Sequence, residues 1–205
     1  MNLKLLKFLS EEITEQGYGL LWSDFTDIDT DIQGFNINTG QKVKKGWENP
    51  LVSGMGAAGY SEAKANNFLT KLNAHLGKSY EWGKSGPNVF DCSGLVVYVY
   101  KEVGFKLNQR VSGPQYDASE KIYDTKKLMP GDLIFFDTPA RGKGASSNID
   151  HVGIVVSPLG SEKIDMIHAE GGGGAGSVTR LNDVTRNRFY GQYIFGYGRF
   201  PIYQK

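Results

Sequence analysis

The stretch Asn88 to Tyr100, NVFDCSGLVVYVY, constrains this chain more than any other, because it holds the sole cysteine of 205 residues where a turn-like lead-in meets an apolar run. Leu95, Val96, Val99 and Tyr100 recur three or four apart, the spacing that buries one face of a helix, although the β-branched content also permits a strand. In a helix, Asp91 caps the first turn and Cys92 sits among N–H groups that lack intrahelical partners. Those groups stabilise a thiolate, while the cap carboxylate partly opposes it. Gly94 admits close approach of another backbone segment. The competing reading of Cys92 is a small apolar side chain filling the core.

One cysteine rules out an internal disulfide framework and a multi-thiolate zinc site. The length suits one substantial core, or one catalytic domain with a smaller lead-in. Net charge is +1, with the first 60 residues acidic and the remainder modestly basic. No basic run is long enough to track a nucleic-acid backbone, and no apolar run is long enough to span a membrane. Leu3 to Leu9 is broken by Lys4 and Lys7 and followed by Ser10, Glu11 and Glu12, which is not a cleavable leader. An extracellular substrate is then reached by another delivery route, or by this chain as a piece of a longer product.

Residues 1–60 read as an acidic lead-in and 61–205 as the catalytic domain. Leu3, Leu6, Leu9 and Ile13 suggest a short amphipathic helix. Asp24, Asp27, Asp29 and Asp31 offer the oxygen ligands calcium needs, but the glycine and closing glutamate of an EF-hand are missing, so they read as a solvated face and no metal is expected. Gly34 to Trp47 reads as short strands about a reversal at Asn38-Thr39-Gly40, and Trp22 and Trp47 as packing residues. Gly54, Gly56 and Gly59 make Val52 to Tyr60 a candidate linker.

Ser61 opens a helix toward Leu76 with Ala65, Phe68, Leu69 and Leu72 on one side, and Gly77 is its natural cap. His75, in its last turn, is read as structural or surface. Tyr80, in the aromatic turn SYEWGKSG, has a phenol able to meet a substrate carbonyl or a developing oxyanion, or else is a packed aromatic with a wet edge. Arg110 could orient a substrate carboxylate, or serve local carbonyls. Pro114, Gln115 and Tyr116 follow a turn, and residues 117–129 look polar and mixed. Pro130-Gly131-Asp132 turns the chain into LIFF, a short buried strand.

Asp137 to Asp150 is a long basic loop carrying Arg141 and Lys143. His151 opens the strand HVGIVVS, with Val152, Ile154 and Val156 on one face and His151, Gly153 and Val155 on the other. Ile164 to His168 reads as a further strand, and antiparallel pairing of the two would bring both imidazoles to one side of a sheet. The glycine run 171–176 lacks a phosphate-loop fingerprint and reads as a bend. Tyr190 to Tyr203 supplies the last strand.

Acyl chemistry through a thiolate needs a nucleophile, an imidazole to take and return its proton, and a group that holds that imidazole's tautomer. Cys92 and two strand-borne histidines fit that list, and spacing alone leaves catalysis and core filling open. YEWG (80–83), FDCSGLV (90–96), RVSGPQY (110–116), PGDLIFF (130–136), HVGIVV (151–156) and IHA (167–169) resemble, in that order, the NlpC/P60 family of papain-like cysteine peptidases that cut bacterial cell-wall peptides. The likeness covers about residues 62–200. It implies an α+β fold, with N-terminal helices carrying the nucleophile packed on a central antiparallel sheet.

By that resemblance Cys92 is the nucleophile, His151 the general base and His168 the residue that orients it. Tyr80, Asp91, Ser93, Arg110 and Arg141 are the expected substrate contacts. No cofactor is needed. The implied substrate is the peptidoglycan stem peptide, cut between the γ-D-glutamyl residue and the diamino acid. The acidic lead-in and leaderless start favour a phage or prophage tail lysin or another delivered effector that acts at the bacterial wall and docks a delivery-complex protein through residues 1–60. Two other readings stay open: an amidase or acyltransferase of the same fold acting on a non-wall amide, and a catalytically silent binding module.

Overall fold

The computed structural model describes residues 49–52, 54–139, 149–171 and 176–203, together with the backbone of two short strands at 35–36 and 41–42. Outside the described residues lie the amphipathic pattern from Leu3, the aspartates from Asp24 to Asp31, Trp22, Trp47, Arg141 and Lys143. Backbone contacts divide the chain into two compact units, 1–49 and 50–205. In the first, β1 (Phe35–Asn36) pairs antiparallel with β2 (Gln41–Lys42), on either side of the expected reversal.

The second unit begins at Pro50, so the stretch that its glycines mark as a linker falls within it. Val52 and Met55 are buried in the main core, and the Ser61 amide donates to the Tyr203 carbonyl. Glycine there serves the turns at Gly54 and Gly59, both at positive φ, while Val52 and Met55 anchor the segment.

Helix α1 (Glu62–Asn73) starts where Ser61 Oγ accepts from the Lys64 amide and buries Ala65, Phe68, Leu69 and Leu72. It stops short of Leu76, and His75 lies in the turn beyond it. Only 4% exposed, His75 accepts from Lys78 Nζ at Nδ1 (2.9 Å) and meets Glu102 Oε2 at Nε2 (2.7 Å), so it is a structural bridge to α2 (Cys92–Glu102). Helix α3 (Ser112–Ala118) takes in Pro114, Gln115 and Tyr116, for which the sequence suggested only that they follow a turn. Its proline occupies the first turn, where backbone N–H groups have no intrahelical acceptor to lose.

Among the described residues the sheet has eight strands. They are β3 (Ser79–Tyr80), β4 (Val89–Phe90), β5 (Glu120–Ile122), β6 (Leu133–Phe136), β7 (His151–Val155), β8 (Met166–Glu170), β9 (Ser177–Leu181) and β10 (Ile194–Arg199). Their order across the sheet is β4-β3-β9-β8-β7-β6-β10-β5. All described pairings among them are antiparallel except β3 with β4, so the sheet is mixed only at that edge. The tail strand β10 is last in the chain but lies inside the sheet, between β6 and β5. With a curled mixed sheet and three α-helices among the described residues, the fold is α+β.

Strand alternation divides the packing in two. Leu133, Phe135, Val152, Ile154, Ile167 and Ala169 face the core that holds α1 and α2, which packs on β7 and β8. Ile134, Phe136, Val155 and Met166 join Leu128, Ile164 and Val184 in a smaller core on the other face. Among the described residues no helix is long and apolar enough to cross a membrane.

Candidate active site

Cys92 is the first residue of α2 and is 5% exposed. Asp91 caps the helix by accepting from the Gly94 amide at 2.7 Å through Oδ1 and from the Gly83 amide at 2.8 Å through Oδ2. The Asp91 amide in turn donates to the Lys84 carbonyl at 2.9 Å, so the aromatic turn 80–86 is laced to the start of the helix. Gly94 is the reason the two can come so close: a Cβ there would run into the Lys84 carbonyl oxygen.

Arg110 and Ser93 belong to the same lacing. Arg110 donates to both Asp91 oxygens (3.0 and 2.7 Å), to Ser93 Oγ (3.0 Å) and to the Lys84 carbonyl (3.1 Å). Ser93 is 5% exposed and donates to Asp91 Oδ1 at 3.3 Å. Asp91, Ser93 and Arg110, expected as substrate contacts, thus also hold one another and the helix start. Gln115 on α3 adds a strut from behind, donating to the Ser93 and Gln109 carbonyls at 3.1 and 3.0 Å.

The two strand histidines meet. Register Ile154 to Ile167 and Val155 to Met166 sets β7 against β8 as their alternation suggested. His151 Nε2 lies 2.8 Å from His168 Nδ1, with the rings 5.1 Å apart at 80°. Gly153, between the two strands' histidines in chain order, leaves its side-chain space to Met166 Sδ, which a Cβ would meet at 2.5 Å. His168 is 1% exposed, and burial drives its pKa from 6.5 to about 4, with Glu170 pulling in the opposite direction. It is therefore neutral at ordinary pH, able to accept one hydrogen bond and donate another.

Two residues at this site escape a sequence reading. Tyr190, in a short 3-10 turn at Tyr190–Gln192, stacks on His151 (5.3 Å, 27°) and meets His168 edge-on (5.0 Å, 88°). Its hydroxyl donates to Glu170 Oε2 at 3.0 Å, and its pKa is raised by burial first, then by Glu170, with Cys92 and Asp150 adding to the rise. The phenol thus joins the imidazole pair to the electrostatic neighbourhood of the thiol. Asn187, whose Oδ1 accepts from the Phe189 and Tyr190 amides, was the local signal for this turn. Glu170 follows His168 by two positions, which in a strand means the same face.

Asp150 fixes the entry to β7 by accepting from the Thr138 amide (2.9 Å) and hydroxyl (2.7 Å), closing the base of the 137–150 loop. Tyr80 is half-buried on β3, its amide donating to the Gly176 carbonyl at 2.7 Å. A Cβ on Gly171 would meet its ring at 2.5 Å and one on Gly176 would strike the Glu170 carbonyl oxygen, so both ends of the glycine run have no room for a side chain. Arg141 lies outside the described residues.

A capped helix bearing a thiol, and a sheet bearing a hydrogen-bonded imidazole pair under an aromatic lid, define the class. The chain belongs to the NlpC/P60 family, whose model matches residues 77–197. It is 36% identical over 132 residues to the "Probable endopeptidase p60" of Listeria seeligeri, covering 64% of this chain and 21% of that protein. It is 39% identical over 90 residues to the "Murein DD-endopeptidase MepH" of Escherichia coli, covering 43% and 31%. With the "Bifunctional muramidase/DL-endopeptidase CwlT" of Bacillus subtilis it shares 42% over 81 residues, covering 39% and 23%. The chain therefore spans about a fifth to a third of the length of these curated relatives.

Among solved structures, an NLP/P60 family protein described as similar to lipoprotein, from Staphylococcus aureus, superposes with a TM-score of 0.54 at 26% identity, covering 68% of this chain and 42% of that one. An NlpC/P60 family protein from Bacillus cereus gives 0.53 at 29% identity, covering 66% and 40%.

Proposed function

We propose that this chain is a cysteine peptidase that hydrolyses the stem peptide of peptidoglycan, at the bond between the γ-D-glutamyl residue and the diamino acid, using Cys92, His151 and His168. The observation that carries the reading is the 2.8 Å contact between His151 Nε2 and His168 Nδ1, which leaves His151 Nδ1 as the nitrogen for proton exchange with a thiol. The endopeptidase names of the relatives support the substrate class, and those names include both DD and DL bond types.

In this reading the Cys92 thiolate attacks the carbonyl carbon, and the resulting oxyanion is met by the Cys92 amide at the helix start, assisted by the Tyr80 hydroxyl. His151, protonated by the thiol, gives that proton to the departing amine. It then takes a proton from water as the water attacks the thioester, freeing the acid and restoring the thiol. Asp91, Ser93 and Arg110 hold the nucleophile in place.

Cys92→Ala tests the assignment. Purified walls treated with the parent protein yield new free D-glutamyl carboxyls and diamino acid amines by mass spectrometry, and the variant yields none while keeping its fold. A fully active variant overturns the nucleophile; products of a different bond overturn the specificity.

For delivery, the reading is that residues 1–60 dock a phage tail or other delivery complex that brings 61–205 to the bacterial wall. Support comes from the acidic balance of that stretch and from the separation of residues 1–49 as a compact unit. Deleting residues 1–49 should abolish co-purification with such a complex and spare peptide cleavage; loss of cleavage alone contradicts a docking role.

A further inference from the structure

The histidine pair poses a question of direction. One proton lies between His151 Nε2 and His168 Nδ1, and either nitrogen can own it. If His168 owned it, neutral His151 would carry its hydrogen on Nδ1 and have no lone pair there for the thiol. A working base needs the opposite: His151 donating from Nε2, and His168 accepting at Nδ1 with its own hydrogen on Nε2.

Nothing within the pair dictates that choice. The asymmetry comes from the far side of His168, where Nε2 lies 3.9 Å from Glu170 Oε2. A carboxylate favours an N–H over a lone pair facing it, even beyond direct hydrogen-bond range, because the attraction is electrostatic. The carboxylate is itself held, since Tyr190 donates to the same oxygen at 3.0 Å while its ring stacks on His151. One phenol therefore fixes the carboxylate and covers both imidazoles.

We propose that Glu170, held by Tyr190, is a positioning residue that sets the Nε2–H tautomer of His168 and, through it, the proton direction that makes His151 a base toward Cys92. This rests on the catalytic reading given above. The titratable groups facing His168 are His151 from β7, Glu170 from its own strand and Tyr190 from the turn before β10, with Cys92 and Asp150 acting on Tyr190. Burial keeps His168 neutral, so it has two tautomers between which a neighbour can choose. The Glu170 side chain is 40% exposed, so solvent moderates its field and the bias is graded rather than absolute.

The test combines nitrogen NMR of ring-labelled histidine in the full chain with kinetics of stem-peptide cleavage. In the parent protein His168 should show the Nε2–H form. Glu170→Gln should convert it to a mixture and lower kcat about tenfold with KM within about twofold. The basic limb of the kcat profile should move to lower pH, because imidazolium at His151 loses a remote negative charge. Glu170→Asp should recover part of the tautomer bias, and Tyr190→Phe, which keeps the ring stack, should lose part of it. Thermal unfolding confirms that each variant is folded. An Nδ1–H form of His168 in the parent, or a Glu170→Gln protein with unchanged tautomer and kcat, overturns the proposal. The NMR readout needs no substrate, so it fails or succeeds separately from the peptidase assignment.

Discussion

Arg110 grips both carboxylate oxygens of Asp91, at 3.0 and 2.7 Å, and so ties the residue that caps the Cys92 helix to the segment that follows that helix. Such bidentate pairing fixes geometry as well as charge. Its consequence for a thiol one residue away is electrostatic: the guanidinium offsets a carboxylate that would otherwise oppose ionisation of Cys92.

Arg110→Ala is accordingly expected to lower stability by about 1–2 kcal/mol, the value of charged hydrogen bonds reduced for a side chain about one-third exposed. It should also slow alkylation of Cys92 at neutral pH. Arg110→Lys keeps the charge without the fork and should fall between. Urea unfolding and the rate of reaction with iodoacetamide measure the two effects, and an alanine variant that alkylates as fast as the parent contradicts the electrostatic part.

Gly94→Ala sets two effects against each other. Alanine is favoured in a helix by about 1 kcal/mol. Its Cβ, however, would strike the Lys84 carbonyl, a backbone atom held by the Asp91 amide and Arg110. The clash should win, with a net loss of about 1–3 kcal/mol and a lowered melting temperature.

Acid should destabilise the protein through His168. Its folded pKa, about 4, lies below the unfolded value of 6.5, so between those limits the unfolded chain binds more protons. Stability is full above about pH 6.5 and falls as pH drops toward 4, by up to about 3 kcal/mol. In His168→Gln that component of the slope should vanish, which denaturant titrations at pH 7, 5.5 and 4.5 would reveal.

The buried pair Asp132 and Arg199 should tolerate least. Arg199 donates to both Asp132 oxygens at 2.7 Å, Asp132 is 2% exposed, and the Met129 amide and Tyr60 hydroxyl complete the cluster. Burial raises the Asp132 pKa, with Glu120 adding to the rise, and Arg199 and the Met129 amide counter it. Arg199→Met should cost about 3–5 kcal/mol by leaving a buried carboxylate without its partner. Equilibrium unfolding decides it, and a loss below 1 kcal/mol would mean the carboxylate finds water instead.

What could be read from the chain beforehand was what short-range pattern controls. Ser61 with its apolar face, the Asp91 cap, LIFF, and the alternation that sets His151 beside His168 are all settled within a few residues or by strand period. Three features were beyond that reach. Arg110 has its partner 19 positions away, and nothing local distinguishes a cation facing Asp91 from one facing solvent. Helix α3 was hidden by Pro114, a breaker everywhere except the first turn. Tyr190 and Glu170 become legible only once β8 and the tail are folded against each other, because their roles arise from what they touch.

Strand β10 lies between β6 and β5, although it is made some sixty residues after one and seventy after the other. A chain emerging from the ribosome therefore holds an open seam along both earlier strands until residues 194–199 arrive, and Tyr190 reaches the imidazoles just before the seam closes. Completion of the sheet and covering of the paired rings thus both wait on residues 190–199, which are made about a hundred residues after the thiol.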